Sequence, residues 1–120
     1  MTDIEKEISK LKFHISLIGE TLDYRTNPIP ALVIEMNWNE SDLDAAHDIF
    51  EKYDDMIEAK EEINWRAFEM ELREKFGIGY QTVKSIILAF YRNHQWTNVC
   101  TLYARSAECV EFHEITRATD

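Results

Sequence analysis

The most constraining stretch of this sequence is the apolar run from Val83 to Tyr91. At 100° per residue, Ile86, Ile87 and Leu88 point in three different directions from one helix axis, so a helix that carries them must be covered on most of its circumference. Glycine and proline together occupy only five positions, which leaves little turn material for a sheet protein. We therefore expect an all-α fold, a compact bundle of five to six helices around this buried central helix.

The length of 120 residues predicts one domain, and a hydrophobic content of 45 % is enough to bury a core without disulfides or metals. Helical periodicity fades after Phe112, so we expect the domain to cover residues 1–112 and a frayed tail to cover 113–120. The sequence contains neither an apolar stretch of about 18 residues nor a basic start followed by an apolar run. Neither a membrane span nor secretion is indicated, and the cytoplasm is the expected location.

The formal net charge of −10 is unevenly distributed. Residues 1–79 carry 9 Lys or Arg against 19 Asp or Glu, whereas residues 80–120 carry 4 against 4. A surface of this sign repels nucleic-acid phosphate and anionic lipid. The charge therefore favours a basic protein partner, and neither direct nucleic-acid binding nor membrane binding is expected.

The first predicted helix begins at Thr2, where Glu5 three residues later completes a capping-box pattern. Its apolar residues are spaced 4, 3, 4, 3 and 4 apart, which is a heptad pattern. They are Ile4, Ile8, Leu11, Ile15, Ile18 and Leu22. Two interpretations are open: a coil through which the chain associates with itself, or a long amphipathic helix of the bundle.

A second helix, predicted from about residue 40 to Lys60, carries a column of seven carboxylates opposite its apolar stripe. They are Glu40, Asp44, Asp48, Glu51, Asp55, Glu58 and Glu62. Carboxylates one turn apart, about 5.4 Å, roughly match the phosphate spacing of a nucleic-acid strand, so this face could occupy the basic groove of a nucleic-acid-binding protein. The alternative is a solvated face that keeps the protein soluble.

Residues 65–92 have the apolar and glycine spacing of a helix-turn-helix motif. The outward positions of its second helix are Tyr80, Gln81, Lys84 and Ser85, which together carry one positive charge. Arg73 also stands where close helix crossing requires a small residue. Because phosphate contacts supply most DNA affinity, a DNA-binding regulator is an alternative to a plain helical hairpin rather than the first hypothesis.

Catalytic and metal-binding patterns are weak in this sequence. Asp44 and His47 supply only half of a bundle di-metal motif, and we expect Cys100 and Cys109 to be reduced, buried thiols. There is no phosphate-binding glycine loop, nucleophile elbow or zinc spacing. We predict no catalytic residue, no metal and no cofactor.

A first amphipathic helix and four short segments after it resemble the small YhaI-like family of uncharacterised proteins from Bacillus-type bacteria. The four segments are the Pro-x-Pro-Ala-Leu-Val-Ile pattern of Pro28 to Ile34, the helix starts at Asn39 to Asp42 and Ile63 to Phe68, and the aromatic Ala89 to Tyr91. The similarity covers roughly residues 8–105 and does not extend into the polar tail after Arg105. The family implies an all-helical cytoplasmic protein with no assigned activity, so no functional residue can be carried over.

Taken together, these patterns predict a non-enzymatic interaction or regulatory module whose acidic helical face binds a basic protein. The alternatives are a helix-turn-helix DNA-binding regulator built on residues 65–92 and a structural homo-oligomer.

Overall fold

The computed structural model describes residues 2–107 and 109–117, and within these residues there are helices and no β-strand. In chain order the elements are α1 (Asp3–Glu20), α2 (Pro28–Met36), α3 (Glu40–Glu58), α4 (Trp65–Phe76), α5 (Tyr80–Arg92), α6 (Thr97–Ala107), a 3₁₀ turn (Val110–Phe112) and α7 (His113–Thr116). The prediction of an all-α chain is confirmed. The described residues form seven helices rather than five or six because the region after Phe112 also folds.

Short polar side chains and one glycine set several helix boundaries, as the local sequence predicts. Thr2 Oγ1 accepts a hydrogen bond of 3.1 Å from the backbone N–H of Glu5 at the start of α1. Asn39 and Asp42 form a reciprocal box at the start of α3, each side chain accepting a 2.9 Å bond from the other's backbone N–H. These bonds satisfy amides that have no partner within the helix. Gly77 ends α4 with a left-handed φ of 61°.

Of the described helices, α5 contributes the most buried residues to the hydrophobic core, and it packs against α2, α4, α6 and the 3₁₀ turn. Nearly half of α5 is buried: Val83, Lys84, Ile86, Ile87, Ala89 and Phe90. The ring of Phe50 in α3 lies 4.7 Å from that of Phe90 and 5.3 Å from that of Phe68 in α4. Tilted and edge-to-face ring contacts of this kind join α3 to both α5 and α4.

α1 stands apart from this core, and none of its 18 residues is buried. The molecule measures 58 × 26 × 22 Å and has a radius of gyration of 16.8 Å. A compact domain of this length has a radius of gyration of about 14 Å. An 18-residue helix is about 27 Å long, so the projection of α1 accounts for the elongation. Among the described residues, no helix combines the length and apolar character that crossing a bilayer requires.

The region after Phe112 corrects the predicted frayed tail. α7 occupies His113–Thr116, Ile115 is fully buried, and Glu114 accepts a 2.8 Å hydrogen bond from Nη2 of Arg92. One helical turn is too short to produce a recognisable sequence period, and its burial depends on packing against α6. The folded part therefore continues through residue 117, and residues 118–120 of the predicted tail lie outside the described residues.

Candidate functional site

The predicted self-association residues of α1 are exposed along the whole helix. The exposed fractions are 72 % for Ile4, 46 % for Ile8, 55 % for Leu11, 56 % for Ile15 and 60 % for Ile18. The structure therefore does not support the interpretation of α1 as an intramolecular bundle helix, because the apolar stripe contacts no core of its own chain. We call these five residues the α1 seam.

Leu22, the sixth predicted self-association residue, does not belong to the seam. α1 ends at Glu20, and Leu22 lies in the following connection, where it is partly buried. Together with Ala31 and Ile34 of α2 it lines a small surface cleft. The heptad spacing placed Leu22 on the helix because no glycine or proline follows it before Pro28. The sequence therefore did not mark the helix end at Glu20.

The predicted acidic face is exposed at all seven positions. Six of its carboxylates lie on α3, within an arc of about 80° when the helix is viewed along its axis. Glu62 is an exception, because α3 ends at Glu58 and Lys60 then adopts a left-handed φ of 59°. The expectation that one helix carries all seven is therefore corrected to six. Within the described part of the chain, none of these six forms an ion pair.

α4 and α5 form the expected helical pair, but their predicted DNA-reading surface lacks a free positive charge. Lys84, its one cation, is buried, and Nζ lies 3.2 Å from a carboxylate oxygen of Glu111 and 4.4 Å from the ring centre of Tyr80. Burial opposes its charged form, but the hydrogen bond to Glu111 and nearby negative groups outweigh burial and raise the pKa of Lys84. The lysine is a charged structural group rather than a phosphate contact.

Of the two residues of the candidate metal half-site, Asp44 and His47, the histidine makes a structural contact instead. His47 Nδ1 accepts a hydrogen bond of 3.0 Å from the indole N–H of Trp96, and its ring meets Phe90 edge-on at 5.1 Å. Asp44 is exposed on the acidic face. Among residues 2–107 and 109–117, no three His, Cys, Asp or Glu side chains are placed to hold a metal ion.

Cys100 is a poor nucleophile in this fold. Its side chain is fully buried, and Sγ lies 3.6 Å from the backbone carbonyl oxygen of Ile87. Burial raises the pKa of the Cys100 thiol, so the reactive thiolate is suppressed.

One feature of the surface was not predicted from the sequence, a cleft of about 910 Å³ between the ends of α3, α5, α6 and α7. Arg92 spans its wall with a forked ion pair to Glu114, with Nη2 and Nε at 2.8 and 3.0 Å from the two carboxylate oxygens. Arg25 and Arg105 also line the cleft. The three arginines are far apart in the sequence, so no local spacing could indicate that they meet.

Comparison of the chain with protein-family models, with curated proteins and with solved structures gives no match. The resemblance to the YhaI-like family therefore stays a prediction. Function has to be inferred from the α1 seam, the acidic face and the cleft themselves.

Proposed function

We propose that this chain is a non-enzymatic interaction protein that assembles with copies of itself through α1. The assembly carries helical bodies, each centred on α5, that present the acidic face of α3 to a basic protein. The observation that carries the proposal is that every residue of the α1 seam is exposed.

Exposure of the seam is costly in water. Burying one Leu or Ile side chain contributes about 1.5–3 kcal/mol, and here five such side chains lie along one line without a partner in their own chain. Large contiguous apolar patches of this kind mark interaction sites on proteins that are otherwise soluble. A long helix with the same stripe is the simplest complementary surface, and a second copy supplies it.

The seam has the side-chain order of a coiled coil. Ile8 and Ile15 occupy the a positions, and Ile4, Leu11 and Ile18 occupy the d positions. Branched residues at a with leucine at d favour pairing, whereas isoleucine at d favours larger assemblies. Because the seam is only about two and a half heptads long, we expect reversible association that depends on protein concentration.

Charge also favours a second copy over other partners. α1 carries Asp3, Glu5, Glu7 and Glu20 against Lys6, Lys10 and Lys12, so its net charge is −1 out of −10 for the chain. In a parallel pair, Glu7 at position g faces Lys12 at position e of the other copy. In the antiparallel pairing with the greatest overlap, Lys12 of one copy faces Lys12 of the other, and the two positive charges repel each other. We therefore infer a parallel arrangement.

Sedimentation equilibrium over a range of concentrations tests the assembly. We expect species larger than the 14.2 kDa monomer for the natural chain, and monomer only for the double variant Ile8→Glu, Ile15→Glu. The matched control is Phe13→Glu, because Phe13 is 61 % exposed on the same helix but lies on the side opposite the seam. A natural chain that stays monomeric at high concentration, or a control that dissociates as fully as the seam variant, would refute the proposal.

Charge reversal tests the orientation. In a parallel pair, Glu7→Lys places two lysines opposite each other and should weaken association, and the added change Lys12→Glu should restore it. Failure of the double reversal to restore association would reject the parallel arrangement and leave the seam itself unaffected.

The acidic face supports the second half of the proposal. Six carboxylates on one arc, with no ion pair among the described residues, form a field that attracts basic surfaces over about 10 Å at moderate ionic strength. A basic protein that normally binds nucleic acid has the matching charge. Such a complex should weaken strongly with salt.

A further inference from the structure

Basic side chains are concentrated in the cleft between α3, α5, α6 and α7, on a protein that is strongly acidic overall. Among the residues that the structure describes, Arg25, Arg92 and Arg105 line it together with the carboxylate of Glu114. Counted over these described lining residues the formal charge is +2, whereas the whole chain has −10. A concave site that concentrates the minority charge attracts ligands of the opposite sign.

The ion pair inside the cleft fixes the position of one arginine. The forked contact to Glu114 holds the Arg92 guanidinium in the wall, and this hydrogen bond chiefly lowers the pKa of Glu114. Arg25 is close enough to contribute to the same effect. Glu114 thus interacts with both Arg92 and Arg25, and Asp23 interacts with Arg92 from outside the lining.

Hydrogen-bond donors face the same space. Thr97 and Asn98, the first two residues of α6, line the cleft, and Thr101 follows one turn later. The start of a helix carries a partial positive charge and backbone N–H groups without helical partners. Together with the arginines, these groups can bind the oxygens of a carboxylate or a phosphate.

The segment that leads into α6 has a strained backbone. His94, which lines the cleft, has a φ of 57°, and Trp96 has a φ of 52°. Left-handed conformations of non-glycine residues cost about 1–3 kcal/mol each, and at His94 this conformation ends α5, with the Gln95 N–H donating a 2.9 Å hydrogen bond to the Phe90 carbonyl oxygen. Here the strained segment sets the position of both His94 and the start of α6 at the edge of the cleft.

The remaining wall of the cleft is apolar. Ile57 of α3, Tyr91 of α5 and Leu102 of α6 contribute to it, and Leu102 is 36 % exposed. A volume of about 910 Å³ is within the range of sites for small organic molecules. A purely inorganic ion would leave this apolar surface in contact with water.

We propose that the cleft binds a small organic anion, with its carboxylate or phosphate at the arginines and the start of α6 and its apolar body against Leu102 and Tyr91. Carboxylate and phosphate both present anionic oxygens that accept hydrogen bonds, so the probes must distinguish them. This site is separate from the α1 seam and from the acidic face, and it does not depend on the proposed assembly.

Titration of the ¹⁵N-labelled full chain with phenyl phosphate, benzoate, inorganic phosphate and benzyl alcohol, at constant ionic strength, tests the proposal by NMR. We expect saturable shifts of the Thr97 and Asn98 amides with phenyl phosphate or benzoate. The stronger of these two identifies the preferred head group. Inorganic phosphate and benzyl alcohol should each bind at least about tenfold more weakly, because each lacks half of the contacts.

Three variants locate the binding. Arg25→Gln should weaken binding of the stronger probe at least about fivefold, and Leu102→Asn should remove its advantage over the bare head group. Glu114→Gln should strengthen binding, because it removes an acidic side chain that repels the anion from the lining. Lys75→Gln, which removes an exposed positive charge on α4, is the matched control and should leave the affinity unchanged.

The proposal is overturned if no probe gives saturable shifts at these amides, or if benzyl alcohol binds as well as the anions. It is also overturned if Lys75→Gln weakens binding as much as Arg25→Gln, since that result would mean a general charge effect. Each variant is checked for an unchanged far-ultraviolet spectrum so that loss of binding is not loss of fold.

Discussion

The indole N–H of Trp96 donates a 3.0 Å hydrogen bond to Nδ1 of His47 and thereby ties the segment before α6 to the middle of α3. Trp96 has a left-handed φ of 52°, which is unusual for a residue of this size. Backbone strain of this kind persists only where surrounding contacts hold it in place. The bond to His47 is one such contact, and it was not evident from the sequence because 49 residues separate the two partners.

We predict that Trp96→Phe lowers the free energy of unfolding by about 1 kcal/mol, because it leaves a partly buried acceptor without a donor. Urea unfolding followed by circular dichroism measures this loss. In a His47→Leu background the same change should cost much less, since the acceptor is already gone. Equal losses in the two backgrounds would show that the hydrogen bond contributes no stability.

Phe90→Ala should lower the free energy of unfolding by about 3–5 kcal/mol, because the side chain is fully buried and its ring packs against Phe50 at 4.7 Å. The matched control is Phe13→Ala on α1, where the ring is 61 % exposed and we expect a change within about 0.5 kcal/mol. Chemical denaturation of dilute, monomeric protein compares the two. Similar losses would contradict the division between a buried core around α5 and a free α1.

Removal of α1 should leave the body folded. A chain of residues 22–120 keeps every buried side chain described in the structure, since α1 contributes none. We expect an unchanged denaturation midpoint in dilute solution and a radius of gyration of about 13 Å by X-ray scattering. The natural monomer should be clearly larger, as its Cα radius of gyration of 16.8 Å indicates. A shortened chain that unfolds would mean that α1 stabilises the body.

Acid should weaken the tie between α7 and α5. Chiefly through the hydrogen bond from Arg92, the pKa of Glu114 lies below its usual value of 4.5. A carboxylate with a lowered folded-state pKa stabilises the protein fully above about pH 4.5, and this contribution is lost as the pH falls through the folded-state pKa.

The corresponding variant is Glu114→Gln, which should cost about 1 kcal/mol or less at pH 7, because the carboxylate is partly exposed. We expect the difference from the natural chain to shrink as the pH falls below 4.5, as measured by urea unfolding at each pH. Glu74→Gln, at an exposed position of α4, serves as the control and should show no such dependence. A difference that persists in acid would rule out the ion pair as its cause.

Neutralising the centre of the acidic face tests its role in binding. We expect the fourfold variant Asp44→Asn, Asp48→Asn, Glu51→Gln, Asp55→Asn to lose basic proteins that the natural chain captures and that elute with rising salt. The charge-matched control changes four exposed acids elsewhere, Glu5, Glu20, Glu61 and Glu74, to Gln. Capture of the same proteins by both variants would mean that the face is only solvated.

Much of the fold could be predicted from the sequence, because its signals are local. Caps at Asn39 and Gly77 act within one helical turn, and the apolar run at Val83 to Tyr91 demands burial whatever covers it. Two helix boundaries were missed. α7 is too short to give a periodic signal, and at Leu22 the heptad spacing of α1 continued by chance past the end of the helix. A four-residue helix has no sequence period of its own.

The sequence by itself determined that the chain is helical, where most helices begin, and that two helices carry an apolar seam and an acidic face. These properties depend on residue spacing along one helix. Only the tertiary structure decided that the α1 seam is left without a partner, that Lys84 is buried against Glu111, and that Arg25, Arg92 and Arg105 share a cleft. Burial and the meeting of distant side chains depend on which helices pack together, and residue spacing within one helix does not encode that packing.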